Sequence, residues 1–150
     1  MPLLAPTINS YKRLVENFWA PVTVSWGLEH RSASIRLISP PVSPPKATRF
    51  EIRTPGADAN PHFVLGAILA LGMYGIENKL ELPVPPLKRG GDTSNASPGE
   101  RLPASLKEAT AKFMAEGSMA RKVLGNEFVD HFGGTRTHEV KLWDEAVTEW

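Results

Sequence analysis

A chain of 150 residues has room for one domain with a real core, and 41% hydrophobic and 22% charged residues is the balance of a soluble globular protein. A formal net charge of +1 excludes the broad basic excess of a general nucleic-acid binder. With no cysteine there is no disulfide, thiolate nucleophile or zinc–thiolate site, which fits a cytoplasmic protein.

Met1 to Pro6 is apolar but lacks the basic start and long apolar core of a signal peptide. Pro21–Ser25 and Ser34–Ile38 read as strands from their β-branched residues and loose alternation. The connection Gly27–Ser32 carries Glu29, His30 and Arg31. Ser39 to Pro45 holds too many prolines to donate to a sheet and reads as a loop. A third strand, Thr48–Thr54, follows. In a strand, residues two apart share a face, so Arg49, Glu51 and Arg53 lie on one side, Phe50 and Ile52 on the other. A carboxylate between two guanidiniums is a plausible wall for a phosphate-and-metal site. The same spacing also fits a half-buried strand with a solvated, self-paired outer face. Around it, Lys12, Arg13, Arg31, Arg36, Lys46, Arg49 and Arg53 stand against only Glu16, Glu29 and Glu51, which points to a local anion site.

Asn60 and Pro61 are a helix cap and a first helical residue, and Phe63, Val64, Ala67, Ile68, Leu71 and Ile76 then recur at helical spacing. This uncharged run sits at the lower limit for a membrane span and is broken by glycines, so a buried helix over 60–79 is expected, with no membrane partner. Gly66, Gly72 and Gly75 predict close approach to another element. Pro83 to Pro103 is polar and rich in Pro, Gly and Ser, a mobile surface loop. Helices resume over 105–115 and 118–124, then from Asn126 to Trp150, with Gly117, Gly125 and Gly133-Gly134 as separators. The expected organisation is a strand region 9–54, a long helix 60–79, a mobile loop 83–103 and a helical tail 104–150. The tail still reads as helix where the chain stops, and site-like residues begin almost at its start, so both ends read as cuts through a larger protein.

In order and spacing, Asn9-Ser-Tyr-Lys-Arg-Leu-Val15, Ala20-Pro-Val22, His30-Arg-Ser-Ala-Ser-Ile-Arg36, Lys46-Ala-Thr-Arg-Phe-Glu-Ile-Arg53, Ala59-Asn-Pro61 and Gly75-Ile-Glu-Asn-Lys79 resemble the carboxy-terminal part of the glutamine synthetase catalytic domain. The helical tail is a weaker match of the same sort. The resemblance implies an α/β (α+β) fold: a few antiparallel or mixed strands of a larger sheet, followed by a helical tail. It implies an ATP-dependent ligase that joins glutamate to ammonia through a γ-glutamyl phosphate, with Mg²⁺ or Mn²⁺. It also implies a parent that forms a ring-shaped homo-oligomer. By the same resemblance, Arg31 is catalytic, and Arg31, Arg36 and Lys46 face the nucleotide phosphates. Arg13 and Arg53 hold the glutamate carboxylates, and Glu51 is a metal ligand.

Trp19 stands where ammonia-using members carry a glutamate that helps bind and deprotonate ammonium, and an indole neither accepts a proton from ammonium nor supplies that negative charge. With Trp26-Gly27 and the Pro55-Gly56-Ala57-Asp58 variant, this resembles relatives that join glutamate to organic amines, polyamines or monoamines, or fungal-type glutamine synthetase-like proteins. A non-catalytic binding or scaffold protein of the same fold is a further alternative. His30 replaces a usual Asn and is not expected to bind metal; His62, His131 and His138 have no partner spacing and read as structural or surface residues. Trp19, Trp26 and Phe18 fit either a core or a substrate wall. The family's other metal-binding residues and its amino-terminal domain lie upstream of the matched part, so the chain alone is expected to be inactive. Its apolar surface is expected to make it poorly soluble or self-associating.

Overall fold

The computed structural model describes residues 1–16, 18, 20–42, 44–88 and 99–147, arranged in two compact units. One unit, 13–55 with 81–102, holds the strands. Its three-stranded sheet contains β1 (Trp26–Leu28), β2 (Ile35–Ile38) and β3 (Arg49–Ile52), in that order. β1 runs parallel to β2, with Trp26 opposite Ile35, and β2 runs antiparallel to β3, with Arg36 opposite Glu51. The sheet is therefore mixed. The connection between the parallel strands is short because β1 has only three residues, a rise of about 10 Å to retrace. Glu29 starts the return with φ 53°, in the left-handed region. His30, itself buried, closes over Gly27, where an added Cβ would stand 2.8 Å from the His30 Cβ. A side chain at position 27 would push this turn away from the sheet.

Pro21–Ser25, expected as a strand of this sheet, pairs elsewhere. Val24 N–H donates to Glu100 O at 2.7 Å, Leu102 N–H donates to Val22 O at 2.8 Å, and Thr23 bridges Arg101. It forms an isolated bridge and no strand, and its partner lies far along the chain, where local pattern has no reach. Those bonds also anchor the far end of the expected mobile loop. Its near end is held by the Trp26 indole N–H on Val84 O and by Leu87 N–H on Trp26 O, both 2.8 Å. The middle of that loop, 89–98, lies outside the described residues.

The second unit, 1–12, 56–80 and 103–150, is helical. The 3₁₀ helix Ile8–Arg13 begins in it. It also contains α1 (Pro61–Glu77), α2 (Leu106–Met114), α3 (Met119–Leu124) and α4 (Asn126–Glu145). Three of these four α-helices start on a side-chain cap: Asn60 Oδ1 accepts His62 N–H, Ser105 accepts Glu108 N–H, and Ser118 accepts Arg121 N–H, whereas α4 starts after Gly125 without one. The core joins Leu3, Ala67, Phe113, Val129 and Phe132. Phe132 meets Phe63 and Phe113 edge-on, with ring centroids 5.6 and 5.9 Å away.

Three expectations change in this unit. α4 runs through Gly133-Gly134 without a break. An added Cβ on Gly133 would overlap Met114, so this glycine serves the packing of α2 on α4. The same helix ends at Glu145, short of Trp150, and 148–150 lie outside the described residues. Finally, Gly66, Gly72 and Gly75 face open space among the described residues, and Ala67 alone is buried in α1. Leu65, Leu69, Leu71, Met73 and Ile76 are exposed. No helix among the described residues is long and apolar enough to cross a membrane.

Exposed apolar area on α1 drives association in water, so the chain should sediment as concentration-dependent oligomers, and the double substitution Leu69→Gln, Ile76→Gln should shift it toward monomer. An unchanged distribution would place the association elsewhere. The Tyr11 hydroxyl is buried with no partner among the described residues, and burial, then the Glu108 carboxylate, push its ionisation well above the ordinary tyrosine range. The folded state thus favours the neutral phenol, a contribution complete below the unfolded value near 10 and lost as pH rises toward the folded one. Tyr11→Phe should hold or raise stability by about 1 kcal/mol at neutral pH and flatten the decline above pH 10 in urea titrations.

Candidate functional site

The return from β1 to β2 brings Arg31 to the charged face of the sheet. Arg31, Arg36, Glu51 and Arg53 line one open hollow of about 420 Å³. Three of the four belong to a continuous ladder of ion pairs. Arg36 Nη2 lies 2.7 Å from Glu29 Oε2, Arg36 Nη1 lies 3.1 Å from Glu51 Oε2, and Arg53 Nε lies 3.2 Å from Glu51 Oε1. The Arg36 guanidinium is held more firmly protonated than usual, first by its bond to Glu29 and then by Glu51, against an opposing effect of burial. Arg31 is exposed at the edge of this ladder. Three guanidiniums against two carboxylates leave one net positive charge, an environment suited to an anion.

The burial of the two sheet faces is opposite to that of a half-buried strand with a solvated outer face. The Arg36 and Arg53 side chains are 20% and 19% exposed. On the other face Phe50 is 68% and Ile35 40% exposed. Arg36 and Arg53 are brought under cover while Phe50 and Ile35 are left out, although Arg31 and Arg49 stay exposed and Glu51 is 41% exposed. Covered guanidiniums require partners; the ladder supplies them to Arg36 Nη1 and Nη2 and to Arg53 Nε, while the buried Arg36 Nε has none among the described residues.

The remaining candidates are placed differently. Arg13 donates from Nη1 to Pro55 O at 2.7 Å and from Nη2 to Arg53 O at 2.6 Å, so it fixes the backbone behind Arg53 and is not among the residues lining the hollow. Lys46 is exposed on the 3₁₀ turn Pro45–Ala47 and does not line the hollow either. Arg49, also exposed, donates to Ala47 O. His30 is buried in the turn, while His62, His131 and His138 are exposed. Trp26 is half-buried with its indole N–H bound, Phe18 is exposed, and Trp19 lies outside the described residues. Asp58 accepts from the Ser10 hydroxyl at 2.8 Å and from the Thr7 hydroxyl, a role within the helical unit.

Glu29 is the site residue that sequence reasoning passed over. The available signal was an acidic residue two positions before Arg31 inside a basic cluster. Its left-handed backbone, which aims it at Arg36, has no signature in a glutamate.

The donor set does not hold a divalent cation by itself. Among the described residues no three His, Asp or Glu side chains converge as metal ligands, and both oxygens of Glu51 already face guanidiniums. A second hollow, of about 740 Å³, runs along α4 past Asp130, His131 and His138. Its Arg136 is already bound to Pro6 O and Glu139.

Residues 1–150 match the glutamine synthetase catalytic domain throughout. The chain is 43% identical over its full length to the type-1 glutamine synthetase 2 of Dictyostelium discoideum, of which it spans 28%. It is also 43% identical over 97% of its length to the glutamate–isopropylamine ligase of a Pseudomonas species, spanning 30% of that protein. Among solved structures, a GmaS/ADP complex superposes on 99% of the chain with a TM-score of 0.73 and 27% identity, the chain covering 34% of it. The chain thus spans about a third of the length of the relatives it matches. With the mixed sheet and helical tail in place and the match unbroken from end to end, the chain belongs to the glutamine synthetase family, as a stretch of its catalytic domain.

Proposed function

We propose that this stretch forms the phosphate- and carboxylate-facing wall of an ATP-dependent ligase that joins glutamate to ammonia. In such a reaction a glutamate carboxylate oxygen attacks the γ-phosphorus of ATP and ADP leaves. The nitrogen nucleophile then attacks the acyl carbon and phosphate leaves, with one N–H proton lost to a base. Charge builds on phosphoryl oxygens in the first step and on the acyl oxygen in the second, and fixed guanidiniums stabilise both. What supports the reading is the convergence of Arg31, Arg36 and Arg53 on one hollow, with Arg36 and Arg53 largely covered. Arg31 and Arg36 would meet phosphate oxygens, and Arg53 a glutamate carboxylate. Arg13 would act on glutamate through Arg53, by holding the backbone that carries it. Lys46 would reach nucleotide only from the rim.

Glu51 would ligate Mg²⁺ or Mn²⁺ only with donors from the nucleotide's phosphates and from residues outside this stretch, since one carboxylate already paired to two arginines is no cation site. A cytoplasmic, ring-forming parent belongs to the same proposal. Glutamate–amine ligation is the second reading. Trp19 carries no proton-accepting group, and the relatives include a glutamate–isopropylamine ligase and, at 36% identity, a γ-glutamylethanolamide synthetase of Streptomyces coelicolor.

The test has two stages. By calorimetry the chain should bind ATP, and Arg31→Gln should weaken binding about tenfold, one charge-assisted contact's worth; no detectable binding would remove the basis of the reading. In a chimera with this chain replacing the matching third of the Dictyostelium protein, phosphate release from ATP and glutamate should need ammonium. Release with isopropylamine or ethanolamine alone would move the assignment to amine ligation.

A further inference from the structure

We propose that Glu29 is a positioning residue, holding the Arg36 guanidinium toward the hollow so that it meets a phosphate group in a fixed orientation. This rests on the reading of the hollow as a phosphate site. Three observations carry it. Glu29 makes the shortest contact of the ladder, 2.7 Å to Arg36 Nη2, whereas Glu51 stands 3.1 Å away and is shared with Arg53. Glu29 Oε1 accepts the Ser39 N–H at 3.2 Å, so the carboxylate is fixed at both oxygens. Its backbone sits at φ 53°, a region that costs a β-carbon-bearing residue about 1 kcal/mol and that glycine enters freely. The turn by itself favours glycine, and the glutamate is kept against that preference where its side chain is used.

A simpler view treats Glu29 as one negative charge beside an anion site, where it can only oppose binding. The two views predict opposite signs. Removing the carboxylate raises the net charge of the cluster by one, so a mere neighbour, once removed, leaves ATP bound more tightly. A positioning residue, once removed, leaves it bound more weakly despite the added positive charge.

The decisive variant is Glu29→Gly, which suits the backbone and leaves the exposed Ser39 N–H to water; Glu29→Gln keeps an acceptor but not the charge. On the chain itself, two readouts are taken: ATP affinity by calorimetry, and the ¹⁵N guanidinium signals of Arg36, identified by their loss in Arg36→Lys. Glu29→Gly should melt no lower than the parent, bind ATP about tenfold more weakly, and show faster rotation of the Arg36 Nη groups, with Glu29→Gln intermediate. Unchanged or tighter ATP binding in Glu29→Gly overturns the proposal, as do Arg36 signals identical to the parent's. If the parent chain binds no ATP, the phosphate reading fails separately. The Arg36 signals then still decide whether Glu29 holds the guanidinium, faster rotation supporting it and identical signals overturning it.

Discussion

The cross-strand pair of Arg36 with Glu51 is the contact on which the site depends. It is fixed by the antiparallel register of β2 on β3, in which Ile35 faces Ile52 and Leu37 faces Phe50. A slip of one residue would send Glu51 and Arg53 together to the opposite face and leave Arg36, about one-fifth exposed, with Glu29 but without Glu51. Taking one carboxylate from a largely covered guanidinium is costlier than losing a surface ion pair. Register and charge pairing therefore enforce one another. Arg13 adds to the restraint by binding the carbonyls of Arg53 and Pro55, which holds the end of β3 in place.

The turn at Glu29–Ser34 does for Arg31 what the register does for Glu51. Arg31 and Arg36 are five positions apart and would face opposite ways on one straight strand. The reversal at Glu29 and the tuck of His30 over Gly27 take Arg31 off that line and return it to the side of Arg36. Short β1 makes this possible, because a longer parallel strand would need a crossover too long to keep Arg31 near its neighbours. Backbone geometry at two residues thus decides whether the cluster has two available arginines or three.

Much of this was legible in the sequence where the causes are local. Asn60-Pro61, Ser105 and Ser118 announced their helices, and the alternation of Arg49, Glu51 and Arg53 announced the charged face. Three kinds of fact were not legible. Pro21–Ser25 pairs with residues around Glu100, and nothing in a local pattern names a partner that remote. Gly133 reads as a helix breaker by propensity, yet it is placed by Met114 across the α2–α4 contact, where tertiary packing outweighs intrinsic preference. Exposure was also misjudged: hydrophobic spacing in α1 predicts a helix, which forms, and burial, which mostly does not. The charges of the site could be named from the sequence. Which of them line one hollow could not, because Arg13 and Lys46 have the same chemistry as Arg31 and Arg53 and differ only in where the backbone puts them.

The composition of the hollow also divides the labour of the proposed reaction. Its lining offers guanidiniums and one carboxylate, and both oxygens of that carboxylate already face Arg36 and Arg53. Glu29 is likewise engaged, by Arg36 and the Ser39 N–H. Such a surface is well made for spreading negative charge and for orienting planar or tetrahedral anions. It is poorly made for taking a proton from an incoming nitrogen, since a group already accepting from guanidiniums must first release them. In the proposed reaction this wall would therefore stabilise developing anionic charge, and deprotonation of ammonia or an amine would fall to groups outside it. On that proposal the choice between ammonia and an organic amine would be set by whatever surrounds the nitrogen, independently of how well Arg31, Arg36 and Arg53 would hold phosphate and carboxylate.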